Sequence, residues 1–421
     1  MRLAVVCALV PLATATVSLG AETVVAAPGA IDAEFDAAVG DGAPPRRRLV
    51  KWNEFDGPFS TLRLGFGFLT DFNAFAQDDD SKQQITMAPD AGVRDFRILA
   101  KGKFKTKRPL SWSIGYMYDG ADKAWRFRQT GLMIGVPELG GRLFVGRTKE
   151  GYSLNKVMVG YHGWTSERSP ALDAFVPILA DGVKWMGYHP KPRIFYSLGV
   201  YSDELTEDEK FANFDGQAVL RAGWLPIDSP SEKKLLHVAV MGRIAEPDAD
   251  SLQVRSRPEA YLAPYFLDTG KFAADDVRTY GVEAYYRAGP WLFGTEYNWN
   301  DVKASNGERP LFHAGNAVAS WLITGESRPY NAPGGYFEGV SPDRTVFEGG
   351  PGALEAVLNF SYSDFDAGSF RGGTLWRLTP MINWHLSDNL RLELTYGYSV
   401  LDRFDRKGGT QFFQGRLQVT L

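Results

Sequence analysis

The chain has one cysteine in 421 residues. It is Cys7, inside the apolar stretch that follows Arg2. A chain with a single thiol forms no internal disulfide, so its stability rests on backbone pairing and packing. Long apolar runs are also lacking: after the first residues no segment approaches the 18 or so apolar residues of a membrane-spanning helix. Histidine is sparse, at positions 162, 189, 237, 313 and 385. No two fall in an HExxH pattern, and there is no GxSxG, no phosphate loop and no dinucleotide fingerprint. Enzymatic chemistry and a resident cofactor or metal are therefore not expected. The formal charge is small, −4, so bulk charge selects no partner, and nothing points to nucleic acid.

The chain is instead rich in aromatics (13%) and glycine (45 residues). Its mean hydropathy is nonetheless only −0.23. Alternating apolar and polar positions cancel in such a mean, as they do in outer-membrane barrels. The N-terminus, MRLAVVCALVPLATATVSLG, reads as a secretory signal peptide over 1–20, with cleavage after Gly20 or Ala26. Residues 21–58, rich in Ala, Gly and Pro and including Arg46-Arg47-Arg48, read as a periplasmic lead-in.

From residue 59 to 421 the period is two. Leu62, Leu64, Phe66 and Phe68 alternate with Arg63, Gly65 and Gly67. Trp291, Phe293, Thr295, Tyr297 and Trp299 alternate with Gly294, Glu296, Asn298 and Asn300. This spacing predicts strands at 60–69, 93–105, 110–118, 124–134, 141–148, 182–189, 193–201, 216–225, 234–245, 277–288, 290–301, 312–324, 353–364, 373–386, 389–400 and 410–421. The fold class is all-β: a 16-stranded antiparallel transmembrane barrel with an infolded third loop. The connections TKRPL, PELGG, HPKPR, RAGPW and HLSDN are short and fall on one side, as periplasmic turns do. SLQVRSRPEA is assigned to a long outer loop at 246–276, because counting it as a strand would misplace the C-terminus. That leaves an unusually long periplasmic connection at 325–352. Tyr116/Tyr118, Trp291/Trp299 and Tyr396/Tyr398 fit interfacial girdles.

The charges carry the functional reading. With Phe96, Ile98, Ala100, Gly102 and Phe104 toward lipid, Arg97, Lys101, Lys103 and Lys105 face inward, and Lys105 and Lys107 mark the periplasmic exit. Arg126 and Arg128 face in opposite Trp125 and Phe127. Lys184, Arg221, Arg243, Arg278 and Arg287 are expected inward as well. A charge facing lipid at mid-membrane costs about 2–4 kcal/mol, which enforces this. Inward Glu283, Glu296, Glu355 and Glu393 weigh against a purely cationic lumen. Rings of Lys and Arg favour anions. The stretch 149–181, with Lys149, Ser153, Lys156, Ser166, Arg168 and Ser169, is long enough to need a functional reason. The acidic runs Asp78-Asp79-Asp80 and Glu207-Asp208-Glu209 read as solvated loop charge.

Four blocks in order, FSTLRLGFGFLTDF, TSERSPALDAF followed by GVKWMGYH, YGVEAYYRAGPWLFGTEY, and ASWLITGESRPY, resemble the phosphate-selective porin O and P family over roughly residues 50–421. The resemblance implies a trimeric barrel whose third loop folds into the lumen, joined there by loop five and a periplasmic turn. It also implies a pore lined by an arginine ladder and a lysine cluster. Glu167-Arg168-Ser169 matches the family's third-loop motif, and Arg255 and Arg257 fall on loop five. The terminal Leu421 departs from the aromatic end usual in outer-membrane proteins. The expected function is passive diffusion of small anions, phosphate-like and chloride, through a homotrimer set among outer-membrane lipid and lipopolysaccharide. The alternatives are a general diffusion porin with little anion selectivity and, from another class, an adhesin or lipid-modifying enzyme barrel.

Overall fold

The structure, a computed structural model, describes residues 53–120, 123–202 and 212–421. The signal peptide, most of the lead-in and the run at 207–209 lie outside the described residues. Sixteen strands form one closed antiparallel barrel. They are β1 (Thr61–Gln77), β2 (Asp90–Lys103), β3 (Leu110–Asp119), β4 (in two pieces, Ala124–Phe127 and Thr130–Val136), β5 (Gly141–Thr148), β6 (Ala180–His189), β7 (Ile194–Tyr201) and β8 (Phe214–Ser229). The second half comprises β9 (Lys234–Pro247), β10 (Leu267–Ala288), β11 (Trp291–Ala304), β12 (Leu311–Leu322), β13 (Ala353–Ala367), β14 (Phe370–His385), β15 (Leu390–Arg403) and β16 (Arg406–Thr420). Pairing of β1 with β16, from Gly67↔Thr420 to Gln77↔Thr410, closes the ring and leaves no edge to aggregate.

The wall inverts the plan of a water-soluble protein. Ile98, Leu198, Val240, Val282, Phe293, Leu394 and Phe413 are exposed, while Arg97, Arg243, Glu283, Glu296 and Glu393 between them are buried. Period-two alternation therefore places apolar side chains on the outside and charges inside. Every expected strand is present. Several run further than expected on the long-loop side: β10 has 22 residues, starting at Leu267 rather than 277. There the outward positions carry Asp276 and Arg278, so the hairpin continues into water without the apolar signature. SLQVRSRPEA does contain a strand, Ser251–Ser256, but it pairs with the outer end of β10 and extends the loop hairpin rather than the barrel.

Arg278 corrects the inward expectation. It shares parity with exposed Tyr280 and Val282, sits opposite exposed Ile244, and pairs with Asp276 at 3.0 Å on the outer surface.

Among the described residues, the connections at 149–179, 248–266 and 323–352 make extensive contact with the inward face. Residues 149–179 between β5 and β6 contain helices Leu154–Val157 and Pro170–Phe175. Their main chain and side chains bond to Glu283 and Glu296 on one side of the ring, and to Asn383, Arg391 and Glu393 on the other. The Tyr161 ring lies against Gly67, where any Cβ would come within 2.2 Å of it; glycine is required for that close approach. The tip of the connection between β9 and β10 reaches β13, β14 and β16: Asn359 donates to the Glu259 carboxylate, Gln414 to the Glu259 carbonyl, and Arg377 to the Pro258 carbonyl. From the short-turn side, the β12–β13 connection carries a small hairpin, Tyr330–Asn331 with Tyr336–Phe337. It is held by Arg221 on the Gly335 carbonyl (2.6 Å) and by the Tyr330 hydroxyl on His237 Nδ1 (2.6 Å).

Candidate functional site

The four inward glutamates are fully engaged. Glu283 accepts from Arg221 (2.6 Å), His237 (2.8 Å) and the Leu154 main-chain N–H (2.7 Å). Glu296 accepts from Ser153 (2.7 Å), the Asn155 N–H (3.0 Å) and Tyr285 (2.9 Å). Glu355 takes Arg328 (2.6 Å) and Ser320 (2.5 Å); Glu393 takes Ser166 (2.6 Å) and Arg391. Each such charge-assisted bond is worth roughly 1.5–3 kcal/mol and offsets part of the entropy of ordering a long loop. The acids that would oppose a cationic lumen thus anchor the segments that fill it.

Many expected cations have the same structural employment. Lys149 donates to the Val157 and Met158 carbonyls (3.3 and 2.7 Å), and Lys156 to those of Leu172 and Val176 (3.2 and 2.6 Å). Burial, then the Arg168 charge, pushes both ammonium groups down, Lys156 to about 7. Lys184 donates to the Lys149 carbonyl (3.3 Å). Arg243 pairs with buried Glu150 (2.9 Å) and also bonds Gln217. Arg287 donates to the Arg328 carbonyl (2.7 Å). Ser169 begins the helix Pro170–Phe175 without a side-chain capping bond.

Lys101 is buried on the inner wall, in register with Arg63 and Ser113; Lys103 is exposed near the short-turn end. Arg126 is half-buried, opposite Met117. Lys105 reaches Asp56 at 2.7 Å on that rim. Arg255 and Arg257 both pack on the Tyr265 ring, each 4.2 Å from its centre.

A different subset converges. A cavity of about 50 Å³ beside the β5–β6 loop is lined by Arg94, Arg97, Arg128, Arg168 and Arg416, with Asp95, Asp119 and Glu167. Arg97 bonds Asp95 and lies 4.3 Å from the Tyr161 ring, whose hydroxyl donates to Asp95 (2.6 Å). Glu167 bridges Arg94 (3.0 Å) and Arg416 (2.5 Å), and Asp71 holds Arg416 through both oxygens at 2.6 Å. Burial raises the Glu167 carboxyl, but Arg94 and Arg416 outweigh it and hold it at about 2. Arg168 donates to the Asn155 and Met158 carbonyls (2.8 and 3.3 Å), and burial lowers it to about 10, where it stays charged.

Arg94 and Arg416 were not among the expected residues. Arg94 shares sequence parity with the lipid-facing Phe96 and Ile98, but β2 bulges there: Leu69 pairs with Asp95 and Thr70 with Val93, leaving Arg94 unpaired and turned inward. Bulges re-aim side chains in this way. Arg128 lies in the corresponding break of β4 between Phe127 and Thr130. The β4 break has a sequence signal, since outward Trp125 and Phe127 switch parity to outward Leu132. Arg416 lies in a regular inward position of β16, where GRLQVT carries a single charge and so no basic row to signal it.

A closed sixteen-stranded barrel with an apolar exterior, a charged interior and loops against its inner wall is the architecture of a bacterial outer-membrane porin. The phosphate-selective porin O and P family matches residues 62–421, and the chain belongs to that family. It is a protein of the bacterial outer membrane. Solved structures share the fold at low identity. OmpT of Vibrio cholerae is 12% identical with a TM-score of 0.54, covering 87% of this chain and all of that one. A trimer form of the same protein is 12% identical (TM-score 0.55), covering 86% of this chain and 100% of that one. An anion-selective porin from Comamonas acidovorans is 10% identical (TM-score 0.51), with 86% and 100% covered. A curated relative, an uncharacterized protein of Caulobacter vibrioides, is 28% identical over 162 residues. That alignment takes in 38% of this chain and about a third (31%) of the relative's length.

Proposed function

We propose that the protein passes small anions, phosphate-like ones included, by passive diffusion, and that it works as a homotrimer. The observation that carries this reading is the cavity beside the β5–β6 loop, where five arginines meet three acids, while Glu283, Glu296, Glu355 and Glu393 are consumed as anchors. Arginine forks match phosphate oxygens, and a ring of such groups favours anions. In this mechanism Arg255 and Arg257 draw anions from the mouth. Arg128, Arg168 and Arg97 replace part of the hydration shell at the narrowing, and Lys101 and Lys103 lead toward the periplasmic rim. The third loop, held against both sides of the inner wall, sets the bore.

Asp95, Asp119 and Glu167 favour a second reading, a general diffusion porin with little anion preference. Planar-bilayer recording separates the two. A potassium chloride gradient should give a reversal potential on the anion side, and added phosphate should block the chloride current. A cation-side potential overturns the anion reading; absence of phosphate block leaves a general anion pore.

A further inference from the structure

One acid in the cavity differs from the others in its placement. Asp95 is tied to Arg97 and Tyr161 on the wall of β2. Glu167 projects from the loop, and its carboxylate lies between two guanidinium groups from β2 and β16. Its two oxygens receive Arg94 Nε at 3.0 Å and Nη2 at 3.3 Å, a forked contact, while Arg416 Nη2 adds a third bond at 2.5 Å. Three N–H donors on a planar oxyanion is the arrangement two arginines would offer a phosphate. Arg416 does not depend on Glu167 alone for charge compensation, since Asp71 accepts from its Nε and shares its Nη2. In the same cavity, Arg128 donates to the Met117 sulfur (3.5 Å) and Arg168 to main-chain carbonyls. No described carboxylate lies within ion-pair distance of either. Two of the cavity's arginines are therefore free of carboxylate partners among the described residues, and two already hold Glu167.

Resting on the anion-porin reading above, we infer that the Glu167 carboxylate is a tethered competitor for the permeating anion. It occupies the seat between Arg94 and Arg416 and so keeps ion binding at the narrowing weak. Conduction needs binding that is favourable enough to admit an ion and weak enough to release it. A resident carboxylate with high local concentration meets that need: an arriving anion bonds Arg128 and Arg168 first, shares Arg94 only as Glu167 gives way, and is displaced when the carboxylate returns. Glu167 would then be a specificity-determining residue, acting by competition for the same donors.

The test is phosphate block of chloride current in planar bilayers, with the reversal potential of the unmodified protein read first. A cation-side potential there overturns the anion-porin reading itself, and with it this one. If the unmodified protein prefers anions, Glu167→Gln should lower the half-blocking phosphate concentration about tenfold and lengthen blocked dwell times. Unchanged or weaker block overturns the competitor. Glu167→Asp keeps the charge but retracts it by one methylene; it should shift block in the same direction by a smaller factor, and serves alone if the Gln barrel does not assemble. Asp71→Asn removes equal charge from beside Arg416 but outside the cavity. A shift equal to that of Glu167→Gln would mean a general field effect and overturn the proposal.

Discussion

At the scale of single residues, the lumen separates cations that hold the fold from cations that face the cavity, and the two groups answer differently to substitution. Arg221 is fully buried against Glu283. Replacing it by glutamine leaves a buried carboxylate short of its main partner, a change worth about 3–5 kcal/mol. The expected outcome for Arg221→Gln is a clear fall in the thermal unfolding midpoint in detergent, followed by tryptophan fluorescence. Arg128 has no ion-pair carboxylate among the described residues to strand. Arg128→Gln should leave that midpoint nearly unchanged while reducing the anion-to-cation permeability ratio by about an order of magnitude, since one charge at about 5 Å in a water-like medium attracts the anion and repels the cation by about 0.8 kcal/mol each. Glu167 adds a pH dependence. Its carboxyl is held at about 2, against an ordinary 4.5, so its contribution is complete above pH 4.5 and is lost as pH falls from there toward 2. The stability difference between the unmodified protein and Glu167→Gln, of order 2 kcal/mol at neutral pH because the site stays partly wet, should close over pH 4.5 to 2. A difference that persists at pH 2 would assign the stabilisation to something other than the ionised carboxylate.

At the scale of elements, periodicity carried the strands and lost its force where the physical reason for alternation ends. Within the bilayer an outward charge is costly, so Ile98, Val240 and Leu394 had to alternate with polar partners, and all sixteen strands could be read from that rule. Beyond the bilayer, Asp276 and Arg278 face water on a strand that continues, and parity misassigns Arg278. At the β2 bulge parity fails again, which hid Arg94. Loop targets were not legible at all: nothing in the spacing of Ser153 or Asn155 says that Glu296 lies opposite them, because that contact joins segments 141–143 residues apart. The β12–β13 connection gives the element-scale prediction. Its hairpin 330–337 is held by Arg221, His237 and Arg328, so replacing 329–338 with a four-residue turn should enlarge single-channel conductance severalfold while leaving the strand signal in circular dichroism intact. Unchanged conductance would place the narrowing wholly at the β5–β6 loop.

At the scale of the whole molecule, the wall is uneven, and the unevenness bears on assembly. β5 and β7 have 8 residues each, whereas β10 has 22. The outer face near the low side carries a dense aromatic group, Phe96, Tyr116, Trp125 and Phe127, with Trp125 stacked on Tyr116 at 5.2 Å. Rigid rings lose little entropy on contact and suit a subunit interface as well as they suit lipid. A homotrimer built on the β2–β5 face would bury these rings and leave the taller β8–β11 wall toward lipid. The expected result is a detergent-solubilised particle with the mass of three chains, and Trp125→Ala should weaken it, releasing single barrels at a temperature well below their unfolding. If Trp125→Ala leaves the trimer intact while an outward change on β11, Phe293→Ala, dissociates it, the contact lies on the tall side instead. Because each barrel closes on itself through β1 and β16, the isolated barrels should retain both the anion-side reversal potential and the phosphate block. The residues that line the arginine cavity all come from one chain.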